Sequence, residues 1–183
     1  MLDAAISAFH QGHIIAYPTE AVFGLGCDPR NEAAVHALLK VKQRPIEKGL
    51  ILVAASIPQL LPYIAIDELT EAQRETVFAT WPGPHTWIVP KNASTPHWLS
   101  GQFDTIAVRV SAHPVVQRLC SELNQAVVST SANLTGLEPC ISADEVAQQL
   151  GERVDVIVSG ECGPSEKPTQ IRDARTLAVV RAS

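Results

Sequence analysis

Short apolar runs alternate along this chain with stretches in which apolar residues return every third or fourth position. Residues 3–11 have the helical spacing, Gly12 is a stop, and His13–Tyr17 is an apolar strand that Pro18 ends. Thr19–Asp28, with Gly24 and Gly26, predicts a strand-exit loop. Asn31 is an N-cap for a helix over 32–43 that Arg44-Pro45 closes. Leu50–Ala54 is continuously apolar, as in a strand covered on both faces. Ser56 predicts the cap of a short helix containing Pro58. Thr70-Glu71-Ala72-Gln73 is a capping box for a helix that stops near Trp81-Pro82-Gly83-Pro84, and Ser142–Glu145 is a second, for a helix running to Leu150 with Gly151 as its stop. Pro114 opens a helix through Leu123. Further strands are predicted at 85–89, 105–110, 126–130, 154–158, 169–173 and 177–181, with a loop over 160–168. The alternation of strands and helices predicts an α/β fold: one domain over 1–183, a twisted mixed sheet flanked by helices.

Composition narrows the function classes. The chain has 183 residues, 46% of them hydrophobic and 18% charged, which excludes disorder. Its formal net charge of −5 argues against a surface that coats nucleic acid or anionic membrane, so any basic site must be local. Cys27, Cys120, Cys140 and Cys162 are widely spaced with no CxxC pair, indicating neither a zinc site nor a dense disulfide framework. There is no basic leader and no apolar run long enough for a bilayer; the expectation is a soluble, cytoplasmic protein with no membrane contact.

Three stretches carry candidate chemistry. In Val127–Gly136, two β-branched residues run into Ser129-Thr130-Ser131-Ala132-Asn133, a strand ending in a loop of hydroxyls and backbone N–H groups that suits an anion. Lys40, Lys42, Arg44 and Lys48 lie within nine residues of an otherwise acidic chain. Complementarity to a helix C-terminus, worth about 0.3–1 kcal/mol per charge, accounts for one or two of them; four form a clamp for a polyanion. Arg109, set among Ile106, Val108 and Val110, should be buried and so requires an anionic partner: a carboxylate of the protein or one of a ligand, with sequence favouring neither. Thr19 stands at a strand end where it can bond the local backbone or a ligand. Gly24-Leu25-Gly26 lacks the third glycine of a dinucleotide fingerprint. Trp81, Trp87 and Trp98 are scattered and fit packing better than base stacking.

Taken in order, Tyr17-Pro18-Thr19-Glu20, Gly24-Leu25-Gly26, Lys42-Gln43-Arg44-Pro45, Gly83-Pro84-His85-Thr86, Val108-Arg109-Val110 and Ser129-Thr130-Ser131-Ala132-Asn133 with Gly136 resemble the YrdC family of threonylcarbamoyl-AMP synthases. The resemblance spans almost the whole chain and points to the short bacterial form, with a fold similar to dihydroxybutanone-phosphate synthase. Two positions depart from the pattern: Thr169 stands where the family has serine, keeping the hydroxyl, and His85 where a small apolar residue is expected.

The resemblance implies condensation of L-threonine, bicarbonate or CO2, and ATP to threonylcarbamoyl-AMP and pyrophosphate. That is the first step of N6-threonylcarbamoyladenosine formation at position 37 of tRNA. It implies Mg²⁺ accompanying ATP, with no protein residue singled out as its ligand, and downstream threonylcarbamoyl-transfer proteins as partners. Lys42 and Arg44 would act on the ATP phosphates, with Ser131, Asn133 and Arg181 on the nucleotide side. Thr19, Arg109, Ser129 and Thr169 would surround threonine, Arg109 taking its carboxylate; Thr105 and Lys48 are weaker candidates. No Ser-His-Asp or Cys-His nucleophile is evident, so positioning and charge neutralisation must carry the rate. The alternative is a non-catalytic RNA-binding module acting on tRNA or rRNA, which steep salt dependence would reveal. A hydrogenase-maturation carbamoyl-adenylating module belongs to longer chains, and dihydroxybutanone-phosphate synthase chemistry would need an acidic metal cluster that the sequence lacks.

Overall fold

The computed structural model describes residues 2–181. Their nine strands form one mixed, open sheet in the order β7-β1-β2-β6-β3-β5-β4-β8-β9. In chain order these are β1 (Ile15–Pro18), β2 (Phe23–Gly26), β3 (Ile51–Ala54), β4 (His85–Pro90), β5 (Thr105–Val110), β6 (Val127–Ser131), β7 (Val156–Ile157), β8 (Gln170–Asp173) and β9 (Val179–Arg181). The helices are α1 (Leu2–His10), α2 (Glu32–Lys42), α3 (Glu71–Phe78), α4 (His97–Ser100), α5 (Pro114–Leu123) and α6 (Ala143–Leu150).

Local chemistry sets the helix limits. The Asn31 side chain accepts from the Ala34 N–H at 3.1 Å, and the Thr70/Gln73 box closes in both directions. Gly12 and Gly151 take the positive φ of 79° and 51° that ends α1 and α6. At α6 only half of the expected box forms: Ser142 caps Glu145, but the Glu145 carboxylate reaches back to the Ile141 N–H at 2.7 Å. Pro58 sits in a single 3₁₀ turn, Ile57–Gln59, rather than an α-helix.

Strands differ from expectation at three places. β1 ends at Pro18 as expected, but the loop expected beyond it folds back as β2, whose Phe23 pairs with Pro18. Only Val156–Ile157 of the predicted 154–158 pairs, as an edge against β1. The strand predicted over 177–181 is likewise shortened to Val179–Arg181.

Alternation along the strands sorts side chains between two cores. Leu52, Ala54, Trp87, Val89, Ile106, Val108, Val110 and Val128 face the larger one, against α2, α3, α4 and α6. Residues of opposite parity face α1 and α5, where Val53, Val127, Ile15 and Tyr17 pack on Phe9, Val116 and Leu119. Those two helices cover only part of that face. The uncovered remainder, continuing the same alternation through Ile51, Ser129, Ser131, Thr105, Ala107 and Arg109, is the floor of a cavity. The continuous apolar run of β3 follows from having both faces occupied, while β5 can carry an arginine because its far end lies under the opening. The tryptophans pack as expected: Trp87 is fully buried, with the Arg172 guanidinium 4.5 Å from its ring centroid.

β2 is held by close backbone approach. A Cβ on Gly26 would lie 2.3 Å from the Val128 carbonyl oxygen and 2.8 Å from the Tyr17 hydroxyl. Gly26→Ala should therefore destabilise the fold by about 2–3 kcal/mol, the cost of forced overpacking, read as a lower urea midpoint. A midpoint equal to wild type would contradict this packing.

Candidate active site

β6 changes partners midway, and the site is built around that change. Val127, Val128 and Ser129 pair with β3, whereas Thr130 and Ser131 pair with β2. The strand so spans the seam, and the alternate residues Ser129 and Ser131 both line the cavity, which has a volume of about 430 Å³. Beneath them the buried Tyr17 hydroxyl donates to the Val128 carbonyl at 3.1 Å.

The loop after β6 is not the backbone nest expected from its small residues. The N–H of Ala132 donates to Phe23, that of Asn133 to Ser131, and that of Leu134 to the Gln149 side chain. Sheet and loop closure consume these three donors, so anion contacts from Ala132 to Leu134 must come from side chains. The Asn133 amide is also occupied: Nδ2 donates to the carbonyls of Leu134 and Leu137, and Oδ1 accepts from the Ser131 hydroxyl at 2.7 Å.

Lys42 is the staple that completes this arrangement. At the end of α2, just before Gln43 turns left-handed at φ 48°, its ammonium donates to Ser131 O at 2.7 Å, Asn133 O at 2.9 Å and Asn133 Oδ1 at 2.6 Å. In return the Thr135 hydroxyl donates to the Lys42 carbonyl at 2.9 Å. Burial, reinforced by the charge of Arg44, pushes the Lys42 ammonium down to about 8. Lys42 and Asn133 stand behind Ser131 rather than on the cavity wall. Arg44, past the left-handed turn, does line the cavity, with its Nε donating to the Gly49 carbonyl at 3.0 Å.

Across the cavity, Arg109 is only 7% exposed. Its Nη1 lies 3.7 Å from Glu20 Oε2, so a protein carboxylate does face it, but its Nε has no hydrogen-bond partner. Thr19 lines the cavity and donates its hydroxyl to the Val22 carbonyl at 2.6 Å, the local backbone bond that was one of its two readings. Thr169, at the start of β8, shares a hydrogen bond of 3.0 Å with Thr86 of β4. Its carbonyl accepts from Arg181 Nη2 at 3.0 Å, which swings that guanidinium from the edge strand β9 over the opening. Burial, and then the charge of Arg109, lower the Arg181 pKa; burial lowers that of Arg44.

The cavity wall thus gathers Thr19, Arg44, Arg109, Ser129, Ser131, Thr169 and Arg181, with the weaker candidates Lys48 and Thr105. Among the described residues no Asp or Glu lines it. Four cations, Arg44, Lys48, Arg109 and Arg181, without a lining carboxylate give a charge balance that can hold an anion of more than one charge. Its depth grades the chemistry: Arg109, Ser129, Thr86 and Thr169 are buried, while Lys48 and Arg181 are exposed at the mouth. Sequence reasoning missed two participants. Thr86 stood in a quoted motif, and its period-two placement with Ile88 would have put it on the cavity face. Glu20 gave no periodic signal, since it lies in the turn between β1 and β2.

The Sua5/YciO/YrdC family profile, described as telomere recombination, matches residues 7–183. A threonylcarbamoyl-AMP synthase of Vibrio parahaemolyticus is 54% identical over 179 residues, covering 98% of this chain and 97% of that one. That of Aliivibrio fischeri is 58% identical over 180 residues, with the same 98% and 97% coverage. Among solved structures, P. abyssi Sua5 complexed with L-threonine superposes with a TM-score of 0.86 at 30% identity, over 94% of this chain and 50% of that longer one.

Proposed function

The chain belongs to the Sua5/YciO/YrdC family, and on that footing we propose that it condenses L-threonine, bicarbonate and ATP to L-threonylcarbamoyl-AMP and pyrophosphate. The observation that carries this reading is the graded cavity: one buried guanidinium with free hydrogen-bonding capacity among hydroxyls at depth, and further cations towards the mouth.

The chemistry needs no protein nucleophile. The neutral amine of threonine attacks CO2, forming an N–C bond and releasing a proton. A carbamate oxygen then attacks the α-phosphorus of ATP, and the bond to the bridging oxygen breaks as pyrophosphate leaves. The reading gives Arg109 the threonine carboxylate, with Thr19, Ser129 and Thr169 as hydroxyl partners. Arg44 and Arg181 take the phosphate charge, and Lys42 holds Ser131 and Asn133 against the nucleotide. Charge neutralisation and alignment of two substrates in one cleft supply the acceleration. The half-closed pocket limits hydrolysis of the carbamate and the mixed anhydride.

Mg²⁺ enters this reading only as the companion of ATP, where it shares the phosphate charge. Among the described residues there is no cluster of three His, Cys, Asp or Glu side chains, and Glu20 is engaged by Arg109 and Ser111. The described residues therefore offer no metal cage. Transfer to adenosine 37 of tRNA would fall to partner proteins that consume the adenylate. Use of ATP and four free cysteines fit the cytoplasm, and no described helix is long and apolar enough to cross a membrane.

The direct test is incubation with ATP, bicarbonate and single amino acids, following pyrophosphate and the adenylate product. Pyrophosphate release that is indifferent to threonine would overturn the reading. A pH series adds a second check. With the Lys42 ammonium near 8, most of its charge is present at pH 7 and most is lost by pH 9. The charged form is the one that donates to all three oxygens and so holds Ser131 in place, so KM for ATP should rise on going from pH 7 to pH 9 while KM for threonine stays flat over pH 7–8. A flat KM for ATP would separate Lys42 from nucleotide binding.

A further inference from the structure

Glu20 and Arg109 form a buried pair whose geometry is unusual in what it leaves unmade. Each side chain is nine-tenths buried, yet the closest approach is 3.7 Å, outside hydrogen-bonding range. Glu20 Oε2 and Arg109 Nε both lack a hydrogen-bond partner. A buried carboxylate and guanidinium free to move would close into a bidentate pair, which satisfies both groups.

The reason they do not close lies on the far side of Glu20. Its other oxygen, Oε1, accepts from the Ser111 hydroxyl and from the Ala112 N–H at 3.0 Å. Ser111 is itself fixed, fully buried at the end of β5, with its oxygen accepting from the His113 N–H at 3.1 Å. The backbone of Glu20 is pinned as well. Its carbonyl accepts from Ser165 at 3.1 Å, the neighbouring Thr19 carbonyl accepts from Gly163 at 2.9 Å, and a Cβ on Gly163 would stand 2.9 Å from the Glu20 oxygen. Burial alone would raise the Glu20 carboxyl, but the Arg109 charge, the Ser111 hydroxyl and the backbone N–H groups together hold it below the ordinary carboxylate range.

We infer that Glu20, tethered by Ser111, is a positioning residue: a counter-charge held just out of reach of Arg109, so that the guanidinium is tolerated in the interior while its terminal nitrogens, which make no hydrogen bond to the described residues, stay free for the ligand carboxylate. The inference rests on the reading of Arg109 as the threonine-carboxylate site. Glu20 does not line the cavity, so it acts through Arg109. A nearer carboxylate would compete with the substrate, and none at all would leave the guanidinium to reorient towards other acceptors.

The test is threonine binding by calorimetry without ATP, together with steady-state kinetics, for Glu20→Gln, Ser111→Ala, Arg109→Ala and the double variant Glu20→Gln/Arg109→Ala. Both Glu20→Gln and Ser111→Ala are expected to raise the threonine Kd and KM at least tenfold. KM for ATP and kcat at saturating threonine should remain within about threefold of wild type. The double variant should be no worse for threonine than Arg109→Ala alone. An unchanged threonine Kd in a folded Glu20→Gln variant, or equal losses for threonine and ATP, would overturn the inference, as would additive losses in the double variant. Should Glu20→Gln fail to fold, Ser111→Ala decides on the same criteria. Wild-type protein that binds no threonine would instead refute the proposed function, so the two failures are distinguishable.

Discussion

Arg109→Ala is expected to raise the threonine requirement about 100-fold or more, with KM for ATP changing less than about threefold. Removing one partner of a desolvated, hydrogen-bonded charge pair typically costs about 2–5 kcal/mol, and each 1.4 kcal/mol is about tenfold in affinity. Arg109 qualifies because it is buried and its Nε has no hydrogen-bond partner in the protein. The same substitution strands Glu20 as an unpaired buried carboxylate, so a loss of stability must accompany the loss of affinity. The two are separable by pH. A carboxyl held below its unfolded value stabilises the fold above that value and loses the contribution as pH falls through the folded value. The stability deficit of Arg109→Ala should therefore narrow as pH falls, first as the stranded Glu20 carboxyl, pushed up by burial in the variant, takes up its proton, and further below about pH 4.5, the ordinary value, where the wild type loses its own contribution, while the affinity deficit is already complete at neutral pH. Arg109→Lys keeps the charge but not the planar fork and should lie in between. Equal losses for threonine and ATP would end the assignment of Arg109 to the carboxylate.

What could be read from the chain beforehand was whatever one segment specifies alone. Asn31, Gly12, Gly151 and the Thr70 box act through neighbours three or four residues away, and each appears as expected. Arg109 could be placed in the interior because its own strand supplies the burial. β2 could not: Phe23-Gly24-Leu25-Gly26 has the composition of a loop, and its glycines become intelligible only once the Tyr17 ring and the Val128 carbonyl press against them from other strands. The backbone nest failed for the same reason. Small residues made it plausible, but Phe23 and Gln149, distant in sequence, take the donors. Lys42 and Arg44 were legible as a cationic pair, but not that one would turn inward as a staple and the other outward to the cavity. That division depends on Gln43 adopting a left-handed conformation between them. Glu20 stood in a quoted motif, and Arg109 was expected to need a carboxylate, but their pairing was not legible because it is made across some ninety positions, with Ser111 as the tether.

Replacing Lys42 by alanine should cut kcat/KM for ATP by about 100-fold or more, while threonine affinity measured without ATP changes less than threefold. The size follows from what the ammonium holds. Its three short bonds, to Ser131 O, Asn133 O and Asn133 Oδ1, are charge-assisted, at about 1.5–3 kcal/mol each when considered singly, and they act as one unit. Without them the Asn133 carbonyl loses its donor, and Ser131 O and Asn133 Oδ1 keep only their bonds to each other's residue, so Ser131, the cavity-facing hydroxyl of the set, loses the anchor to α2 that orients it. The effect should therefore fall on kcat as well as on KM, because the α-phosphate must be aligned as well as bound. Lys42→Arg sharpens the argument. Arginine restores the charge, but a planar fork cannot direct three donors onto oxygens arranged around a compact ammonium. If charge at this position is what matters, Lys42→Arg should recover ATP use. If the staple is what matters, it should remain within about tenfold of Lys42→Ala, and the steep rise in KM for ATP between pH 7 and pH 9 should disappear, since guanidinium does not titrate in that range.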